Sequence, residues 1–345
     1  MKRKLSLGIL FFFIILSVSA TSFEDSGFHI SAAPLYSFEF GQLDEFVFSK
    51  DFKNIDYKLS ELNWDVRNHS IGLSADFGWK WISVGTTLIF GLSSESGSML
   101  DSDWQNNFDH SMKTNFSISE NTLNKFSNFE FILKGIIPVT PESKADIFTI
   151  SVIPSLIYNY AYYNFSANNA EGWYGTTKDT GLSYIVPYDS ENAKHYEKGT
   201  LCGIDYIREY NKIFIGAGVD FSFIKKINLF VNFDISVYSL INSLDTHYSD
   251  MNKYIGKKYL DKMQGTFQTM RFSASLNYNF YKEFYICADY LFTYQALTQG
   301  ITYVSYSLTN SSYELLKGDY SGSAASTHRF SIYVKLALGN KYFLY

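Results

Sequence analysis

The chain has 345 residues, 46% of them hydrophobic and 19% aromatic, with 31 Phe, 28 Tyr and a formal net charge of −5. That acidic balance argues against nucleic acid as a partner, and past the N-terminal segment there is no run of about 18 apolar residues to form a membrane-crossing helix. Two cysteines, Cys202 and Cys287, are too few for a disulfide framework; they read as free thiols, with a single cross-link between them left open.

Met1-Lys2-Arg3-Lys4 opens the chain, an apolar run extends to Leu16, and Ser17-Val18-Ser19-Ala20 supplies small residues for a cleavage site. The expectation is a signal peptide over 1–20 and a single domain over 21–345. Losing Lys2, Arg3 and Lys4 makes the mature chain more acidic still.

Period-two alternation is the main signal beyond that point. Ile71, Leu73, Ala75 and Phe77 alternate with Ser70, Gly72, Ser74 and Asp76; after Gly78-Trp79-Lys80, Ile82, Val84, Thr86, Leu88 and Phe90 continue the pattern. A second hairpin runs from Ile213 to Phe221, turns at Ile224-Lys225-Lys226, and returns from Leu229 to Val237. A third spans Phe272–Phe280 and 284–294 across Tyr281-Lys282-Glu283, and a last strand carries Phe330, Ile332 and Val334 outward with Arg329, Ser331 and Lys335 inward. Weaker strands near 28–40, 55–66, 126–137 and 147–166 bring the total to about ten.

Short turns near 78–80, 138–146, 224–227 and 281–283 alternate with long polar segments near 41–55, 93–125, 167–205, 243–267 and 298–326. Together with the aromatic excess and a mean hydropathy of −0.10, this predicts an all-β, transmembrane, antiparallel up-and-down β-barrel. Its long loops would be extracellular and its short turns periplasmic. A soluble β-sandwich would not need that asymmetry.

Two short motifs stand at the edges of the polar segments. Residues two apart on a strand point to the same face about 6–7 Å apart, so Asp101 with Asp103, and Asp245 with His247, would each present a pair to the barrel mouth. Two adjacent carboxyls raise one another's pKa, and an aspartate beside a histidine fixes its tautomer. Facing each other, such pairs can hold a water and take its proton. Either motif alone is common in loops that cap turns. Six histidines are spread along the chain without metal-type spacing, so no metal site is expected.

Gly97-Ser98-Met99-Leu100-Asp101-Ser102-Asp103-Trp104 resembles the Gly-Asn-Met-Val-Asp-x-Asp-Trp stretch of the omptins, outer-membrane proteases of Gram-negative bacteria. Asp245-Thr246-His247-Tyr248 resembles their Asp-x-His-Tyr stretch. Glu61-Leu62-Asn63-Trp64 and Asn128–Gly135 are similar to strands of the same family. The resemblance implies a ten-stranded barrel in the outer membrane with an extracellular groove and an aspartic-type endopeptidase activity. By position, Asp101 and Asp103 would hold the water, and Asp245 with His247 would accept its proton. Cleavage would fall near basic residues of peptide or protein substrates at the cell surface, by a monomer held in outer-membrane lipid.

Within Gly41-Gln42-Leu43-Asp44-Glu45-Phe46-Val47-Phe48 the resemblance assigns Glu45 to substrate binding. The second pocket acid of the family falls on Ser243, so the expected preference for a basic residue is weakened or altered. No cofactor is implied. The family's lipopolysaccharide-binding Tyr-x-Glu-x-Arg cluster falls on Tyr158-Asn159-Tyr160-Ala161-Tyr162, which keeps the tyrosine without the charges and argues against family-type lipopolysaccharide dependence. The alternative function is a catalytically weak omptin-like surface barrel serving as adhesin or receptor. A diffusion porin fits less well, because about ten strands enclose a lumen that side chains nearly fill.

Overall fold

A computed structural model describes residues 27–50, 55–92, 94–140, 147–223, 226–309 and 312–339. The expected signal peptide, Ile224 and Lys225 of the expected turn, and most of the turn near 138–146 lie outside them.

Strands β1 (Phe28–Lys50), β2 (Asp56–Trp79), β3 (Ile82–Leu92), β4 (Ser94–Asp103), β5 (Asn115–Gly135), β6 (Ile137–Pro138) and β7 (Phe148–Tyr174) are followed by a one-turn helix α1 (Thr177–Thr180). Then come β8 (Lys194–Tyr196), β9 (Ile204–Phe223), β10 (Ile227–Tyr248), β11 (Gly256–Gly265), β12 (Thr269–Tyr281), β13 (Phe284–Ser305) and β14 (Glu314–Gly339). All pair antiparallel in one sheet, and β1 pairs with β14 from His29↔Gly339 to Phe48↔Tyr320, which closes the ring. Strands β3 and β4 succeed one another between β2 and β5, as β11 and β12 do between β10 and β13. Counted around the ring, the strands therefore make the ten staves expected, and closure leaves no free edge.

The alternation does the sorting near the short turns. Ile71, Leu73, Phe77, Phe90, Phe233, Phe272, Ile332 and Val334 all stand exposed on the outer wall, where lipid replaces water as their solvent. Inside, a polar layer is closed by its own ion pairs: Arg271 Nη1 lies 2.6 Å from Glu130 Oε2, Arg329 lies 3.9 Å from Glu39, and Tyr163 donates to Glu39 at 2.6 Å. Both cysteines are free, Cys287 buried in the wall and Cys202 half-exposed.

Crossing a bilayer takes about 9–11 tilted residues, yet β1, β2, β7 and β14 run for 23, 24, 27 and 26. The surplus overturns part of the sequence expectation: much of 41–55, 93–125, 243–267 and 298–326 is strand, not loop. Above the apolar band the outer face meets water, so outward positions carry Ser, Asn, Lys and Glu and the apolar half of the alternation fades. The barrel continues regardless, because a layer of apolar side chains packs together across the lumen there. Trp64, Tyr206, Phe165, Leu43, Met99 and Ile241 are almost fully buried and fill the lumen, with Trp64 stacked on Tyr206 at 5.1 Å.

Candidate active site

The candidate residues sit directly on this aromatic layer. On β4, Asp101 and Asp103 pair with Leu62 and Ser60 of β2 and with Ser117 and Asn115 of β5. Two residues before Met99, Gly97 adopts φ +82° at a β-bulge between Glu95 and Ser98. Asp65 fastens that bulge by accepting from the Ser98 amide at 3.0 Å. Across the mouth, Asp245 and His247 lie on β10 above a second bulge between Ser236 and Tyr238. Below it Asn232, Asp234 and Ser236 are buried in the lumen; above it Ser239, Ile241, Ser243 and Asp245 are. The extra residue thus reverses which parity faces inward, and without it Asp245 and His247 would follow Phe233 onto the outer wall.

Asp245 is 3% exposed, and its Oδ2 takes a short hydrogen bond from His247 Nε2. The imidazole is 40% exposed and meets the Tyr259 ring edge-on at 5.5 Å. Asp103 Oδ2 accepts from Asn115 and Gln105, each at 3.1 Å. The two pairs interact electrically. Burial and then the Asp103 charge push the Asp101 carboxyl up to about 8, against the pull of His247. Asp103 is raised by burial too, while Asn115 and Ser60 hydrogen bonds hold it back. Desolvation opposes charge on His247, but Asp245, Asp101 and Asp103 outweigh it and lift the imidazole to about 9. Four of the six residues singled out in the sequence, Glu45, Asp103, Asp245 and His247, line one cleft of about 520 Å³. Asp101 does not line it and acts on it electrostatically, through its charge interaction with His247, and Ser243 lies one inward position below Asp245 on β10.

Two buried groups of this region carry no motif. Arg208 is fully buried and donates to Tyr206, Tyr210 and the carbonyls of Ala324 and Asp44. Asp261, 3% exposed on β11, accepts from Ser243 Oγ at 3.1 Å and Thr302 Oγ1 at 2.7 Å. A lone aspartate between Leu260 and Lys262 gives no local signal; only pairing β11 against β10, which sets Asp261 opposite Ser243, reveals it.

A closed barrel with an apolar outer band, a lumen filled by side chains and an acid–histidine cluster in its tall mouth defines a transmembrane β-barrel. The sequence profile of the Omptin family matches residues 37–342. The chain belongs to that family, and so to the outer-membrane proteases. Its fold is similar to that of the outer membrane protease OmpT from Escherichia coli, with TM-score 0.70 and 17% identity over 90% of this chain and 96% of that one. The translocator domain of the autotransporter NalP from Neisseria meningitidis aligns with TM-score 0.30 and 8% identity over 97% of each chain. Comparison with curated proteins by sequence gives no match.

Proposed function

We propose that the protein is an endopeptidase in which Asp101 and Asp103 position a water and the Asp245–His247 dyad removes its proton. The observation that carries this reading is that Asp103, Asp245 and His247 line one cleft, with the imidazole hydrogen-bonded to a buried carboxylate. Neutral His247 accepts a proton from water as the oxygen adds to the scissile carbonyl. Asp245 stabilises the imidazolium that results. The imidazolium then returns the proton to the departing amine, so no covalent intermediate with the enzyme forms. Asp101, held neutral to higher pH than an ordinary carboxyl, offers a donor beside the Asp103 acceptor, so the pair can orient the water from both sides.

The tall mouth with the cleft faces the cell exterior in this reading, and peptide or protein segments at the surface are the substrates of a monomeric enzyme. Along the outer wall, Tyr158 donates to Asn211 at 2.8 Å and Tyr160 is paired with Glu209. Tyr162 stands where the family's cluster has its arginine, so that cation for a lipid phosphate is missing, and we expect activity without lipopolysaccharide.

The test is a cleavage assay of the refolded barrel on mixed peptide libraries, with and without lipopolysaccharide. His247→Ala and Asp103→Ala should each lower the rate by about 10²–10⁴-fold while the barrel keeps its folded, heat-modifiable migration. Unchanged cleavage in both variants removes the assignment.

A further inference from the structure

We propose that Asp261 replaces the carboxylate missing at Ser243 and forms, with Glu45, the floor of a pocket for a guanidinium or ammonium side chain of the substrate. The proposal rests on the protease reading and reverses the expectation that Ser243 weakens a basic preference.

The geometry begins with strand register. Ser243 on β10 and Asp261 on β11 are directly paired, so their side chains share a face and stand about 5 Å apart at Cβ. A carboxylate moved from one to the other shifts sideways by one strand and stays in the same layer of the barrel. Ser243 Oγ donates to Asp261 Oδ2 at 3.1 Å and Thr302 Oγ1 donates to Oδ1 at 2.7 Å, so the carboxylate leans back over the serine and is held from both sides. The serine therefore serves to aim Asp261.

Charge supplies the second argument. Glu45, Asp245 and Asp261 are each 3–4% exposed and line the same cleft, and Glu45 and Asp261 approach closely enough to share a proton. Glu45 Oε2 and Asp245 Oδ1 have no hydrogen-bond partner. Arg208 lies beneath but gives its N–H groups to tyrosine hydroxyls and carbonyls rather than to these acids. At the rim, Lys257 stands over the Tyr306 ring at 5.4 Å. Buried carboxyls of like sign raise one another's pKa, as burial and Asp245 do for Glu45 and burial does for Asp261, lifted to about 6. A cation entering from the cleft lets both acids ionise and gains charge-assisted contacts with them, whereas a neutral side chain leaves the Glu45–Asp261 pair holding its shared proton. Placed between this floor and His247, the basic residue adjoins the bond being cut.

The experiment compares one peptide carrying arginine with the same peptide carrying citrulline, which matches its size without the charge. Wild-type protein should cleave the arginine peptide with much the higher kcat/KM. Asp261→Asn, which preserves shape and one of the two acceptors, should shrink the arginine-to-citrulline ratio by about 10–100-fold, and the exchange Ser243→Asp with Asp261→Ser should recover most of it. A ratio unchanged in Asp261→Asn, in a barrel with wild-type heat-modifiable migration, overturns the proposal while His247-dependent cleavage leaves the protease reading standing. Absence of His247-dependent cleavage of either peptide overturns both.

Discussion

In the proposed mechanism His247 accepts a proton and is slowed by whatever keeps it charged, and Asp245, Asp101 and Asp103 act on it together. Asp245, Asp101 and Asp103 hold its imidazolium against desolvation up to about 9, and Asp101 itself rises to about 8. The neutral imidazole becomes abundant only as pH climbs through that window, while the Asp101 donor is lost in the same range, so kcat/KM of the free enzyme should rise above about pH 7, pass through a maximum between about 8 and 9, and fall beyond it. The sign of a substitution follows. Asp101→Asn removes a negative neighbour, the imidazolium loses stabilisation, and the His247 midpoint should fall by roughly one unit. Titrating ¹⁵N-histidine signals in micelles, assigned with His247→Ala, measures this directly; a midpoint that stays fixed would show that the two pairs are not coupled. At this scale the sequence revealed the two pairs through their spacing, and Glu45 through the family resemblance. It concealed Asp261, because the meaning of that residue depends on a partner 18 positions away.

Strands explain what was legible and what was not. Hairpins near the short turns could be read, since lipid on one side and a polar lumen on the other force strict alternation; Ile71 to Phe90 is a clear case. Above the band that contrast disappears, so β4, the end of β10 from Ser243 and all of β11 read as loop. Bulges are hidden more deeply. Alternation extended from Phe233 would put His247 outside, and nothing in Ser236-Val237-Tyr238 marks the reversal that β10 undergoes there. The bulge below Asp101 does leave a mark, the glycine at 97. A Cβ built on Gly97 would lie 2.4 Å from Asp65 Oδ2, and its φ of +82° disfavours any side chain. Gly97→Val should cost about 1–2 kcal/mol of stability and, by displacing Asp101 and Asp103 together by part of an ångström, about 10²-fold in kcat/KM. Unfolding midpoints in denaturant alongside peptide kinetics separate the two effects. Activity falling only in proportion to the folded fraction would mean that the bulge is structural and does not aim the acids.

Taken whole, the barrel holds two stacked layers that bar passage. The aromatic layer of Trp64, Tyr206 and Phe165 supports the cleft, and beneath it Glu130, Arg271, Glu39 and Arg329 knit the lumen with ion pairs. A hydrated ion would have to displace both, so the wild-type protein in planar bilayers should show no stable conductance steps. Trp64→Ala tests how the layers divide the work. The indole is fully buried against Tyr206 and Phe165, so its loss should cost about 3–5 kcal/mol, read as an earlier unfolding midpoint. It also pairs in register with Met99, two residues from Asp101, so proteolysis should fall with it. Conductance should nevertheless stay absent, because the cavity opens onto paired charges that remain in place. Steps appearing in Trp64→Ala alone would show that the aromatic layer is the seal and that the charged layer below it is permeable.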